Sequence, residues 1–319
     1  MTVARHILKS LPKLPVPELW PTTFKVSKAR GQLRVSVMSE DTADLAAKTM
    51  GIQNHPNRSI IEIYPGPGQL TRSMALAGAK KVVTVENGET YQKSLKMLEE
   101  NSEGRIQHFP LNPYMDPFDE LLDPKKNLFP GLEQQPWDKV HSDLMLVGSI
   151  PNSSLGEKVL LDLLLASVER MSIFKMGRVE MYLFCSKEAI KRLVAAPGTP
   201  TRGRTTLLAE AAAEISSIMH PGPTSFHLPY DYELVRFVPH EKPKMETVLT
   251  LCILLSGAHR LLGPGADILL GRLSFDQDVK IKHMTLDQLN EVALKFEQWP
   301  LRPTVLYDDM IMHENKRKR

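Results

Sequence analysis

Residues 59–71 read Ser59-Ile60-Ile61-Glu62-Ile63-Tyr64-Pro65-Gly66-Pro67-Gly68-Gln69-Leu70-Thr71. A β-branched apolar run ends in a Gly- and Pro-containing turn, and a helix-like segment over Thr71–Gly78 follows. Glycine lets the backbone adopt positive φ and come close to a ligand, and a helix N-terminus adds unpaired N–H donors. A second apolar run, Lys81–Val85, leads to Glu86, 20 residues beyond Gly66, where an acid can hydrogen-bond the ribose hydroxyls of a nucleoside cofactor. Thr71 stands where the dinucleotide fingerprint requires its third glycine, so S-adenosylmethionine fits this turn better than a nicotinamide cofactor. The plainer alternative is a tight turn with a solvated glutamate.

The pattern continues on the C-terminal side. A helix is predicted over Glu89–Glu100 with Tyr91, Leu95 and Leu98 on one face, then a strand over Ile106–Phe109. A strand over Asp143–Val147, a helix over Leu155–Met171 and a strand over Arg178–Cys185 follow. Strands alternating with helices imply βαβ units, a mostly parallel sheet, and a ligand crevice at the carboxyl ends of the strands. Past the Phe226–Val238 run, Pro239, Pro243 and the charged stretch between them mark a boundary, and the rest reads as helical. There Thr285-Leu286-Asp287-Gln288 forms a capping box ahead of the stripe Leu286, Leu289, Val292, Ala293 and Phe296.

A chain of 319 residues suits one large α/β domain and a smaller one. Forty basic and 37 acidic residues leave a net charge of +3, so any nucleic-acid site must come from local clustering. The two cysteines, Cys185 and Cys252, lie far apart in apolar runs and read as buried thiols rather than metal ligands or a disulfide, and no metal is expected. The apolar runs Val159–Val168 and Val248–Ser256 are too short to span a bilayer, so no membrane partner is expected. Between Met1 and Val37 there are seven Lys or Arg and one acid, Glu18. This stretch, with an apolar–basic pattern over Thr2–Leu11, reads either as a mitochondrial targeting segment or as a basic, Pro-rich surface arm.

Glu62-x-x-Pro65-Gly66-x-Gly68-x-Leu70-Thr71 resembles the first motif of the rRNA adenine N6,N6-dimethyltransferases. Gly31-Gln32 ahead of a helix near Glu40, Ser186-Lys187-Glu188 with Arg192, Leu193, Pro197 and Gly198, and the segment Phe226 to Pro239 are similar to further stretches of that family. The resemblance implies an α/β, Rossmann-like S-adenosylmethionine-dependent methyltransferase fold with a small C-terminal helical domain. It implies an N-terminal arm over 1–30, a methyltransferase domain over 31–240 and the helical domain with its basic tail over 241–319. It also implies cofactor contacts at Gln32, Glu62, Tyr64, Gly66, Gly68, Glu86, Asn112 and Ser149.

Three departures matter. Tyr64 replaces a glycine of the family, where its ring can intrude on the cofactor; Asn112 replaces an aspartate; and Gly148-Ser149-Ile150-Pro151-Asn152 stands where the family has its catalytic Asn-Leu-Pro-Tyr. In that tetrad an Asn side chain and a carbonyl accept hydrogen bonds from the target amine while the Tyr stacks on the flipped base. Ser149 is too short and Asn152 has no aromatic face, so methyl transfer is expected to be badly impaired.

This degradation, with Tyr64-Pro65-Gly66, Asn112-Pro113-Tyr114 and Leu193–Gly198, resembles the fungal branch of the mitochondrial transcription factor B family. That resemblance implies a mitochondrial matrix protein that partners a single-subunit mitochondrial RNA polymerase and holds melted promoter DNA. An active rRNA adenine dimethyltransferase, with rRNA as its partner, is the second reading. Candidate phosphate contacts are Lys187, Lys191 and Arg192; Arg202 and Arg204, with Arg202-Gly203-Arg204 favoured; and the tail Lys316, Arg317, Lys318 and Arg319. A solvated charged face is the bland alternative for each cluster. Trp20, Trp137 and Trp299 are considered as base-stacking rings.

Overall fold

A computed structural model of the chain describes residues 10–25, 34–244, 271–276, 279 and 281–298. These fall in two compact units, one within Met1–Lys191 and Ala212–Lys242, the other within Arg192–Ala211 and Pro243–Arg319.

The first unit begins with a helical turn, α1 (Trp20–Thr23), and a short strand, β1 (Ser36–Val37). Helix α2 (Glu40–Thr49) starts at Ser39, whose hydroxyl accepts from the Thr42 amide, with Glu40 and Asp41 in the positive first turn. Then come β2 (Ser59–Ile63), α3 (Gln69–Leu76), β3 (Lys81–Val85), α4 (Glu89–Glu100), β4 (Ile106–Phe109), the single turn α5 (Phe118–Leu121), β5 (Val140–Ser149), α6 (Ser154–Glu169) and β6 (Arg178–Ser186). Helix α7 (Lys187–Leu193) leads out of this unit, α8 (Arg204–Ala212) belongs almost wholly to the second, and β7 (Ala213–Met219), β8 (Phe226–His227) and β9 (Tyr232–Pro239) complete the first.

Seven strands form one sheet in the order β4-β3-β2-β5-β6-β9-β7. The strands from β4 to β6 are parallel, and β9 runs antiparallel to both β6 and β7. Every residue of β2 is buried, as are all but the first residue of β3 and of β6, so the centre of the sheet is covered on both faces. That is why these strands read as continuous apolar runs rather than as alternating ones. The strand order reverses between β2 and β5, each lying in register with its neighbour at Ile60–Met145 and Ile63–Gly148. Strands β1 and β8 pair separately, Ser36 with His227.

The first unit holds a surprise at its beginning. Leu11, Leu14, Trp20 and Phe24 are buried. The Trp20 ring meets Phe24 and His227 edge-on, its Nε1 donates to the Pro15 carbonyl at 2.8 Å, and Arg72 Nε donates to the Pro12 carbonyl at 3.1 Å. These four side chains therefore anchor an otherwise largely exposed stretch to the first unit, and Trp20 cannot stack on a base. The apolar–basic pattern over residues 2–9 lies outside the described residues. Cys185 is buried within β6, and burial pushes its thiol pKa up; Cys252 lies outside the described residues.

In the second unit the capping box forms as expected: Gln288 N donates to Thr285 Oγ1 at 3.3 Å, and Thr285 N donates to Gln288 Oε1 at 2.9 Å. It opens α9 (Leu286–Glu297), whose Leu289, Val292, Ala293 and Phe296 are buried. Among the described residues, no helix is long and apolar enough to cross a membrane, and no cluster of His, Cys, Asp or Glu could hold a metal ion.

Candidate functional site

The carboxyl ends of β2 and β5 flank the point where the strand order reverses, which is where open α/β sheets bind ligands, and those of β3 and β4 follow beside β2. The turn after β2 begins with Tyr64 in the left-handed region, φ 54°, its amide donating to the Val85 carbonyl at 3.1 Å. A non-glycine residue held there stores about 1–3 kcal/mol of strain, and such strain concentrates at functional sites. Gly66, at φ 59°, lies so close to β1 that a Cβ would sit 2.1 Å from Ser36 Oγ. The expected freedom at this glycine is thus spent on admitting Ser36. Gly68, φ 99°, starts α3 with no side-chain cap.

Glu62 was expected to touch a cofactor. It is buried instead near the end of β2, accepting from Thr71 Oγ1 at 2.5 Å. Burial pushes its pKa up to about 8, the Thr71 hydroxyl opposes this, and nearby Glu86 adds to it. Its carboxyl braces strand against helix and faces no open space.

Glu86 stands at the end of β3, as the spacing predicts, and is 0% exposed. Its Oε1 accepts from the Gly88 amide at 2.8 Å and lies 3.4 Å from Arg34 Nη2, while Oε2 is buried without a protein partner. Burial raises the Glu86 pKa; the Arg34 guanidinium and the amides of Gly88, Gly66 and Asn87 work against that rise. Arg34 also donates to Asn87 Oδ1 at 3.0 Å, and its guanidinium carbon lies 4.1 Å from the centre of the Tyr64 ring. Burial pushes the Tyr64 phenol up to about 12.

Asn112 uses its side-chain oxygen locally, accepting from Tyr114 N at 3.1 Å and capping a short turn. That turn positions Tyr114 beside α6, where Lys158 Nζ donates to its hydroxyl and lies 4.5 Å from its ring centre. Between this loop and α6 lies a small cleft of about 50 Å³ lined mainly by Ile63, Tyr114, Phe118, Val159 and Leu163, with Asp116 and Asp162 as its acidic members.

The degenerate motif follows β5. Ser149 is buried at the strand end. Ile150 N donates to the Phe184 carbonyl at 2.9 Å, and its own carbonyl accepts from Tyr232 Oη at 2.7 Å. The Pro151 carbonyl accepts from Ser153 N at 2.9 Å and lies where a Cβ on Gly156 would be only 1.9 Å away. Tyr232 in turn packs on Phe226, ring centres 5.4 Å apart. The carbonyls that would receive a base amine thus have protein donors already, and half-buried Asn152 brings no ring.

The basic candidates separate sharply. Arg202 is buried, its two terminal nitrogens donating to Glu210 at 2.7 and 2.9 Å and to the carbonyls of Ala195 and Met284. It is a structural clamp of the second unit and does not present these donors to a phosphate, which corrects the preferred reading of Arg202-Gly203-Arg204. Arg204 is exposed. Lys187 and Lys191 are exposed on α7, in surface ion pairs with Asp231 and Glu188, and Arg192 is half-buried. Trp137 lies under Arg170, 4.9 Å away, with Nε1 donating to the His240 carbonyl. Gln32, Trp299 and Lys316–Arg319 lie outside the described residues.

Two functional side chains escaped sequence reasoning. Arg34 was one basic residue among seven, although it sits two residues before β1 and beside the Gly-Gln segment. Tyr232 lies 80 residues beyond the motif whose carbonyl it holds, and no local pattern announces such a pairing.

Residues 37–252 match the family model described as ribosomal RNA adenine dimethylase. A mitochondrial dimethyladenosine transferase 1 of Vermamoeba vermiformis is 26% identical over 291 residues, which is 77% of this chain and 84% of that protein. A mitochondrial dimethyladenosine transferase 2 of Homo sapiens is 31% identical over 252 residues, 73% of this chain and 61% of that protein. A mitochondrial dimethyladenosine transferase 1 of Xenopus tropicalis is 30% identical over 198 residues, and the match spans 54% of its length. Among solved structures, the 23S rRNA methyltransferase ErmE superposes with a TM-score of 0.52 at 15% identity, covering 82% of this chain and all of that one. A dimethyladenosine transferase of Plasmodium falciparum gives 0.52 at 16% identity, covering 80% and 95%. The shared fold is the mixed α/β, Rossmann-like S-adenosylmethionine-dependent methyltransferase fold.

Proposed function

The chain belongs to the ribosomal RNA adenine dimethylase family, and from that premise we propose that it serves as a mitochondrial transcription initiation factor, with the family's catalytic motif out of use. In this reading it partners a single-subunit mitochondrial RNA polymerase in the matrix and holds the strands of melted promoter DNA. One observation carries the proposal: at Ser149–Asn152 the side-chain acceptor and the stacking ring are both missing, and the Ile150 carbonyl is held by Tyr232. A site that must orient a base amine loses orders of magnitude in rate when its positioning groups go. What remains is a folded scaffold whose first unit carries Lys187 and Lys191 and whose second carries Arg192 and Arg204 for phosphate contact. The exposed ion pairs of Lys187 and Lys191 are worth only about 0–1 kcal/mol each, so a phosphate can compete for them. The mitochondrial relatives support the compartment. Run-off transcription from a duplex mitochondrial promoter, with the cognate polymerase alone and with this protein, tests the role. Correct initiation that depends on the protein and needs no S-adenosylmethionine is expected. Initiation indifferent to it overturns the proposal.

The second reading is an active rRNA adenine dimethyltransferase, favoured by the relatives' names and by the retention of Glu86 and the glycine turn. Transfer of labelled methyl from S-adenosylmethionine to small-subunit rRNA is its test. Transfer that is lost in Ser149→Ala would establish it.

A further inference from the structure

Three buried polar atoms without a protein partner meet at the end of β2 and β3: Arg34 Nη1, Tyr64 Oη and Glu86 Oε2. Orphaned polar atoms at the point where a nucleoside cofactor would lie suggest an open, waiting pocket. Their surroundings say otherwise. Glu86 is 0% exposed and Tyr64 2% exposed. The Arg34 guanidinium lies on the Tyr64 ring, and the same Nη2 that faces the Glu86 carboxylate donates to Asn87 Oδ1. Ser36 packs directly against Gly66 of the glycine turn. A ribose that is to reach Glu86 must first dislodge a cation paired to it. It must also find room against a tyrosine ring held in place by its own left-handed backbone. The residues here do not fit S-adenosylmethionine as they stand.

We infer that Arg34 and Tyr64 form a built-in plug, the guanidinium meeting the carboxylate that a ribose would otherwise engage, so that the protein keeps its methyltransferase fold closed to S-adenosylmethionine. A planar guanidinium suits this place because it can stack on a ring and offer several donors at its edge at once. Buried Glu86 gains the counter-charge it needs in the absence of a nucleoside. The plug stands independently of which nucleic acid the protein meets, since none of its members lies among the candidate phosphate contacts.

Isothermal titration of the full chain with S-adenosylmethionine, and separately with S-adenosylhomocysteine, tests it. The wild-type protein is expected to show no saturation up to about 1 mM, while Arg34→Ala, and more strongly Arg34→Ala with Tyr64→Gly, should bind at least about tenfold tighter. Adding Glu86→Gln to the double variant should abolish the gained binding. Circular dichroism and a melting curve establish that each variant is folded; should Arg34→Ala unfold, Arg34→Met keeps the stem without the charge. Wild-type binding as tight as that of the opened variants overturns the plug. So does a folded double variant that takes up neither ligand, or gained binding that is unchanged by Glu86→Gln.

Discussion

Replacing Trp20 by alanine tests whether the N-terminal stretch belongs to the fold. The Trp20 side chain is wholly buried, its ring centre 5.0 Å from that of Phe24 and 5.6 Å from that of His227. Its Nε1 hydrogen bond to Pro15 pins the preceding turn. Truncating a buried aromatic of this size to alanine costs about 3–5 kcal/mol, through lost burial and the cavity left behind. The two edge-on ring contacts go with it, each worth about 0.5–1.5 kcal/mol beyond area, so the upper half of that range is expected. In a unit of this length each kcal/mol moves the melting temperature by roughly 2–4 °C, which gives a drop on the order of 10 °C. Far-UV circular dichroism on heating and in urea measures it without relying on the deleted fluorophore. A loss below about 1 kcal/mol would refute the reasoning, because only a ring that is not seated in a core can be removed so cheaply. Under the proposed mitochondrial role, the same burial limits where an N-terminal signal could be cut: sequencing of the mature protein should find a start no later than Leu11.

Gly66→Ala should destabilise by about 2 kcal/mol or more, since the new methyl meets Ser36 Oγ at 2.1 Å and φ is 59°; a melting curve checks it. Arg202→Ala should cost about 2–3 kcal/mol, discounted because Glu210 is about one-third exposed, and should leave the salt dependence of the proposed DNA binding unchanged. Arg204→Ala should instead keep stability within about 0.5 kcal/mol and reduce the slope of log affinity against log salt by about 1. For Glu62 the folded pKa is raised to about 8, so the native state holds a proton that the unfolded chain has released above its ordinary value of 4.5. The stability this group contributes is present below pH 4.5 and is lost as pH rises towards about 8. Glu62→Gln should flatten stability over that window, as read by urea midpoints at several pH values; an unaltered profile would show that Glu62 is not the group responsible.

Much of the fold was legible because its signals are local. The run Ser59–Ile63, the glycine turn, Glu86 and the capping box at Thr285 each carry their reason within a few residues. Strand β7 was not read. It is an edge strand directly after the Ala-rich helix α8, and Ala213–Met219 has neither a strong β-branched run nor a clean alternation that helical propensity would not blur. The site was legible in its backbone and not in its occupants. Glu86 follows from spacing and the Ser149–Asn152 departures from the resemblance to the family, but Arg34 reaches Glu86 across 52 residues, and Arg202 is buried by a glutamate eight residues on that could equally have faced water. Prolines and lysines over residues 12–25 resemble a linker, and only the spaced Leu11, Leu14, Trp20 and Phe24 betray that the stretch is packed.

Strand β9 is the last strand of the large sheet in chain order, yet it lies inside that sheet, between β6 and β7. A polypeptide that ends before Tyr232 therefore leaves two unpaired backbone ladders, one of them on a strand as apolar as β6. Such edges pair with whatever strand arrives next, including those of other copies. Premature stops between Met219 and Tyr232 should thus yield aggregates and not soluble, partly working protein, and the ribosome must pass Pro239 before the sheet can close.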